Sequence, residues 1–128
     1  MTTLPLTSDE FRAMLRDDGI TLVEFWGSWC TPCLTFMPVF EAASDEHPDV
    51  RFATLDTQAE VTLAAELGVS GVPTVRGYRD GVQLMDFSGP MTLEMIRSVI
   101  DQLKRLDMDE IIELAIAREP LPNIRPAA

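Results

Sequence analysis

The run ITLVEFW at Ile20–Trp26 leaves few choices of fold. It is too apolar and too β-branched for a strand with one wet face, so it belongs in the middle of a sheet covered on both sides. The flanking pattern supplies the cover. Residues 2–6 read as a short edge strand, where Pro5 is tolerated because no ladder donor is needed. Thr7 or Ser8 then caps a helix carrying Phe11, Met14 and Leu15 on one face and ending near Asp18-Gly19. A helix after the 27–33 turn carries Leu34, Met37, Val39, Phe40 and Ala43, with Pro38 as an expected kink and His47-Pro48-Asp49 as its end.

Further along, 50–55 reads as a second buried strand, 59–67 as an amphipathic helix stopped by Gly68, and 74–78 as a third strand. Asp80-Gly81 between two apolar runs signals a tight hairpin into 82–87. Thr92 caps a last long helix with Leu93, Ile96, Val99, Ile100 and Leu103 on one side. The order β-α-β-α-β-α-β-β-α predicts an α/β fold, a mixed central sheet with helices on both faces. A short extra C-terminal helix follows within 107–119, with Ile111, Ile112, Ala115 and Ile116. We expect one domain over 1–106, that helix packed on it, and a disordered Pro-rich tail over 120–128. The 128 residues, 46% of them hydrophobic and 24% charged, suit one domain with a free-standing core.

Ten basic against 21 acidic residues give a net charge of −11, a field that repels phosphate backbones and anionic headgroups. Nucleic-acid and membrane-surface binding are therefore not expected, and the acidity either keeps the protein soluble or steers it to a partner with a basic patch. The start, MTTLPLTSDEF, lacks a basic stretch followed by an apolar one, and no later run approaches ~18 apolar residues. The expectation is a cytoplasmic protein whose thiols are kept reduced.

The two cysteines, Cys30 and Cys33, are too close for a structural disulfide to gain much from chain entropy, so the pair is judged as chemistry. It lies just past a buried strand and opens a helix, where open α/β sheets place their functional groups. The first-turn amides and the helix dipole favour a thiolate at Cys30, and Pro32 suits a first turn because its missing donor costs nothing there. Other readings compete. Zinc needs four ligands, against two thiols and the single distant His47, and covalent haem needs His where Leu34 stands. An inert buried pair stays open, although it would have no need of a helix start.

With VEFWGSWCTPC, the Pro38 position, GVSGVPT, the Asp80-Gly81 turn and Gly89 before the last long helix, the sequence resembles the thioredoxin family over about four-fifths of its length. The resemblance implies a thioredoxin fold and a thiol–disulfide oxidoreductase reducing protein disulfides, with Cys30 attacking and Cys33 resolving through a redox-active disulfide. It implies that Pro73 is the family's cis-proline, leaving the Val72 backbone free to pair with an extended substrate, with Trp29, Thr31, Pro32 and Gly89 around it. It further implies that Glu24, where thioredoxins proper usually carry Asp, takes a proton from the resolving cysteine. Electrons would come from a flavin-dependent thioredoxin reductase, and the roles implied are electron transport and cell redox homeostasis.

An acid inside ITLVEFW should be desolvated and its pKa raised; the alternative is a Glu that reaches the surface. Glu24 itself is like the protein disulfide isomerase branch. Thr31 replaces the family's usual Gly, Leu34 the Lys after the second cysteine, and Thr54 the buried Lys beside the acid, so the local field is less positive. Trp29 is expected as a lid and Trp26 as sheet packing. No Gly-rich nucleotide loop is present, so no cofactor beyond the disulfide and no metal is expected. Two other functions stay open, an oxidase or isomerase of this fold and a non-catalytic peptide-binding or chaperone-like module. A monomer is expected, with a dimer through the C-terminal helix as the alternative.

Lowering a thiol pKa from about 8.5 to ~7 raises the thiolate about sixteen-fold. The accompanying loss of nucleophilicity leaves roughly a three-fold gain, so aligning three sulfurs must supply most of the rate. The reading thus needs Cys30 both ionised and accessible.

Overall fold

Alternate residues of ITLVEFW do go to opposite faces. Ile20 and Leu22 pack with Phe36, Phe40, Ile96 and Ile100, whereas Val23 and Phe25 pack with Phe11, Leu63 and Tyr78. This computed structural model describes residues 3–127. Position 2 of the expected first strand and position 128 of the tail lie outside them.

The elements are β1 (Thr3–Pro5), α1 (Ser8–Met14), β2 (Ile20–Trp26), α2 (Thr31–Glu46), β3 (Arg51–Asp56), α3 (Val61–Glu66), β4 (Thr74–Arg79), β5 (Val82–Ser88), α4 (Leu93–Arg105) and α5 (Met108–Ile116). The sheet order is β1-β3-β2-β4-β5, with β1, β3 and β2 parallel and β4 and β5 antiparallel. β2 is central, as its composition demands. The mixed α/β architecture and the extra C-terminal helix are those expected.

Local chemistry explains the boundaries. Thr7 caps α1 by accepting from the Glu10 amide, and Glu10 returns a bond to the Thr7 amide. α3 begins at Val61 rather than 59 because the Asp56 carboxylate holds the Gln58 and Ala59 amides in a turn, and Glu60 is held by Ser8. At the hairpin Asp80 and Gly81 both have positive φ, 53° and 79°, as a tight two-residue turn requires. A Cβ at Gly81 would sit 2.0 Å from the Leu15 carbonyl oxygen, so the turn can also press against α1.

Two expectations need correction. The buried stripe of α2 is Cys33, Phe36, Phe40, Ala43 and Ser44, while Leu34 is exposed and Met37 and Val39 only half-buried. Counting three and four residues from Cys33, which the strand end points inward, gives the observed stripe. The tail is not disordered across 120–127. Ile124 is buried, pairs with Met85 of β5 and donates its amide to the Leu84 carbonyl at 2.8 Å. Gln102 and Ser98 of α4 bond the tail backbone at Arg125 and Ala127. Ile124 on the β5 edge, with the half-buried Leu121 packed on the same core, orders the short Pro-rich segment. Ile124→Ala should therefore cost about 2 kcal/mol in urea unfolding, whereas a free tail would give no change.

Candidate active site

Cys30 is the N-cap of α2, and its sulfur accepts the Cys33 amide at 3.2 Å. The first turn of a 16-residue helix thus gives that sulfur the Cys33 amide and the positive end of the helix dipole. Thr31 and Pro32 fill the turn and are exposed. Cys30 and Cys33 are joined as a disulfide, with Cα atoms 5.3 Å apart.

On the other side of the sulfur stands the segment before β4. The Val72-Pro73 bond is cis, and the Val72 carbonyl oxygen lies 3.7 Å from Cys30 Sγ. The Pro73 carbonyl accepts the Gly89 amide at 2.8 Å, which fixes this segment to the end of β5. Cys30, Cys33, Val72, Pro73 and Gly89 are therefore brought together. Trp29 is 66% exposed beside them, its indole against Gly27, where a Cβ would meet Nε1 at 2.7 Å. Trp26 is half-buried at the end of β2.

Cys30 is not openly accessible as the sequence reading required, since only 3% of it is exposed in this oxidised form. The helix amides on one side and the Val72 carbonyl on the other enclose it. A partner must fit into the surface around the sulfur. That surface is uncharged: one cleft of about 110 Å³ runs between Trp29 and Ser70-Gly71-Val72, and another of about 360 Å³ between Pro32, Phe36 and Met91. The part played by Met91 and Pro90 in this groove was missed, although their place directly after Gly89 was a signal. A larger cleft of about 550 Å³ lies between β5, α4 and the tail and is lined by neither cysteine.

Glu24 is fully buried in β2, on the same face as Leu22, and does not reach the surface. Neither carboxylate oxygen meets a donor among the described residues. Desolvation, and secondarily the charge of Glu41, push its pKa up from 4.5 to about 7. Thr54 of β3 is its direct neighbour in register and Val75 of β4 the one opposite, so no strand neighbour supplies a counter-charge. Among the described residues no cluster of three or more His, Cys, Asp or Glu could hold a metal ion. The arrangement can exchange electrons through two sulfurs, and the buried carboxyl of Glu24 can hold a proton.

The family model for Thioredoxin matches residues 2–102. The chain is 36% identical to "Putative thioredoxin 2" of Streptomyces coelicolor over 110 residues, 86% of this chain and 82% of that protein. It is 38% identical to Protein disulfide-isomerase A4 of Homo sapiens over 69% of this chain, which is 14% of that longer protein. The crystal structure of Malassezia sympodialis thioredoxin superposes with a TM-score of 0.71 at 26% identity, covering 80% of this chain and 93% of the other.

Proposed function

The chain belongs to the thioredoxin family and is a thiol–disulfide oxidoreductase of the disulfide-reducing kind, and on that premise we propose that Cys30 attacks and Cys33 resolves. The Cys30 thiolate displaces one sulfur of a substrate cystine, giving a mixed disulfide. Cys33 passes its proton to the Glu24 carboxylate, attacks Cys30 Sγ, and expels the second substrate sulfur. Two electrons leave the cysteine pair and the substrate cystine becomes two thiols. The carrying observation is the Cys30 sulfur held between the Cys33 amide and the Val72 carbonyl, at the centre of an uncharged surface.

In this reading an extended substrate segment pairs with the backbone at Val72-Pro73, while Trp29, Thr31, Pro32 and Gly89 shape its approach. Affinity comes from backbone pairing and apolar contact, which suits a chain whose net charge of −11 would disfavour acidic surfaces elsewhere. The electron donor is a flavin-dependent thioredoxin reductase and the compartment the cytoplasm. Among the described residues no helix is long and apolar enough to cross a membrane. The protein works as a monomer; the 79% exposed Ile116 on α5 is the place where a dimer would form, and sizing of the full chain against a variant ending at Asp107 decides it.

Glu24 and the similarity to Protein disulfide-isomerase A4 favour a second reading, oxidation or isomerisation by the same two cysteines. Equilibration with glutathione separates the two. A potential near about −270 mV is expected for the reductant, and one between about −180 and −120 mV would overturn it in favour of the second reading. A peptide-binding module without chemistry would leave insulin reduction at the rate of dithiothreitol alone.

A further inference from the structure

Two charged side chains are buried among the described residues, Glu24 and Arg76, and the reaction as drawn uses only the first. Arg76 of β4 stands opposite Val23 in register, so it leaves the sheet on the face of Phe11, Phe25 and Tyr78 rather than on that of Glu24. Its guanidinium carbon lies 5.6 Å from the Phe25 ring centroid, and its Nε is 3.4 Å from Oδ1 of Asp86, its register partner on β5. Nη1 donates to the Leu67 carbonyl at 2.7 Å.

Stability gives little reason for an arginine here. The Asp86 side chain is 43% exposed, so water screens the attraction, and an apolar side chain of similar volume serves a buried sheet face as well or better. What the guanidinium supplies is direction. Leu67 is the C-cap of α3, and its carbonyl belongs to the group that a helix end leaves without an intrahelical donor. Arg76 ties that carbonyl to β4.

From Leu67 the loop 68–72 runs to Pro73, and Val69, Ser70, Gly71 and Val72 form one wall of the cleft beside Trp29. At its far end the Thr74 hydroxyl donates to the Gly71 carbonyl at 2.7 Å, and the Val72 carbonyl faces Cys30 Sγ. At its near end the Gly68 and Val69 amides bond back into α3, to Ala65 and Ala64. The hydrogen bond that joins this near end to the sheet is therefore the one from Arg76.

We propose that Arg76 is a positioning residue for substrate: by holding the end of α3 against β4, it sets where the Ser70-Gly71-Val72 backbone stands relative to Cys30. This rests on the reading of that backbone as the edge that pairs with an extended substrate. Arg76 touches neither substrate nor sulfur. Its effect is selective, because a disulfide too small to reach the edge gains nothing from the position of the loop.

Single-turnover reduction by the reduced full chain tests this with two substrates, an extended peptide dimer joined by one disulfide and bis(2-hydroxyethyl) disulfide. Arg76→Met, similar in length and uncharged, should slow the peptide on the order of ten-fold while the small disulfide stays within about two-fold of wild type. Arg76→Lys keeps a donor for the Leu67 carbonyl and should recover part of the loss. Equal losses on both substrates would mean a merely structural role, and an unchanged peptide rate or a lysine variant no better than methionine would remove the positioning; each overturns the proposal. Wild type given the same peptide with N-methylated amides beside its cysteine tests the underlying reading, because methylation removes the donor for the Val72 carbonyl. Slower reduction upholds the edge, so that a failure of the Arg76 variants then strikes the proposal alone, whereas indifference to methylation removes the edge and the proposal with it. Should the variants not fold, NMR of the wild type still decides against a false anchor: the Arg76 guanidinium protons should exchange slowly with solvent, and free exchange overturns the bond to Leu67.

Discussion

Cys33→Ser should convert the protein from a catalyst into a trap. Mixed with a disulfide-containing protein it will form a covalent adduct through Cys30 that survives non-reducing electrophoresis and dissolves on adding dithiothreitol. Cys30→Ser will form none. The asymmetry follows from geometry: Cys30 faces the Val72 carbonyl and the uncharged surface, whereas Cys33 is fully buried behind it. Without Cys33, release depends on a thiol from solution. Even a modest effective concentration of about 10 M for the neighbouring sulfur, against ~1 mM external thiol, makes release slower by about 10⁴-fold. Turnover in insulin reduction should fall to the rate of dithiothreitol alone in both variants. Adduct formation by Cys30→Ser, or wild-type turnover by Cys33→Ser, would reverse the assignment or remove it.

The same two cysteines show how much of the site could be read from residue order and where that reading stopped. A buried strand, a CxxC at the following helix start and a Val-Pro before a later strand put the chemistry at one end of the sheet, and Cys30, Val72 and Gly89 do meet there. The central strand was legible because its composition admits one environment. Its register was not needed to see that Glu24 would be buried, only that alternate side chains leave on both faces.

What escaped was set by phase and by distance. The helix after the cysteines has apolar residues at both Leu34 and Phe36, so composition alone fits two stripes, and the strand end that orients Cys33 chooses between them. Glu41 comes from α2 and Thr3, whose hydroxyl bonds it, from β1, 38 positions apart in sequence, and neither carries a motif. Thr54 was recognised as the missing lysine, yet the consequence, a second acid acting on Glu24 with no counter-charge, required the packed structure. At the tail the Pro-rich composition outweighed the two apolar residues Leu121 and Ile124, the second of which pairs with the edge of β5.

Stability should drop as the pH rises through neutrality, and Glu24→Gln should abolish that drop. Glu24 is 0% exposed, and burial with a smaller contribution from Glu41 lifts its pKa from 4.5 to about 7. The folded chain therefore holds this proton more tightly than the unfolded chain does. Its stabilising effect is complete below about 4.5, declines between there and about 7, and is gone at higher pH. At about 1.4 kcal/mol per pH unit, that interval corresponds to about 3.5 kcal/mol, a large share of the ~5–15 kcal/mol that holds a domain together. The comparison is made on the oxidised protein by urea unfolding at pH 5 and pH 8.5. Other titrating groups act on wild type and variant alike, so the difference between their two stability changes isolates Glu24. Glutamine has its own cost of burial, but that cost is the same at both pH values. The wild type should lose about 2.5 kcal/mol more than Glu24→Gln between them. Equal losses would mean that the Glu24 carboxylate is solvated or paired in the folded chain, and the buried proton store in β2 would not exist.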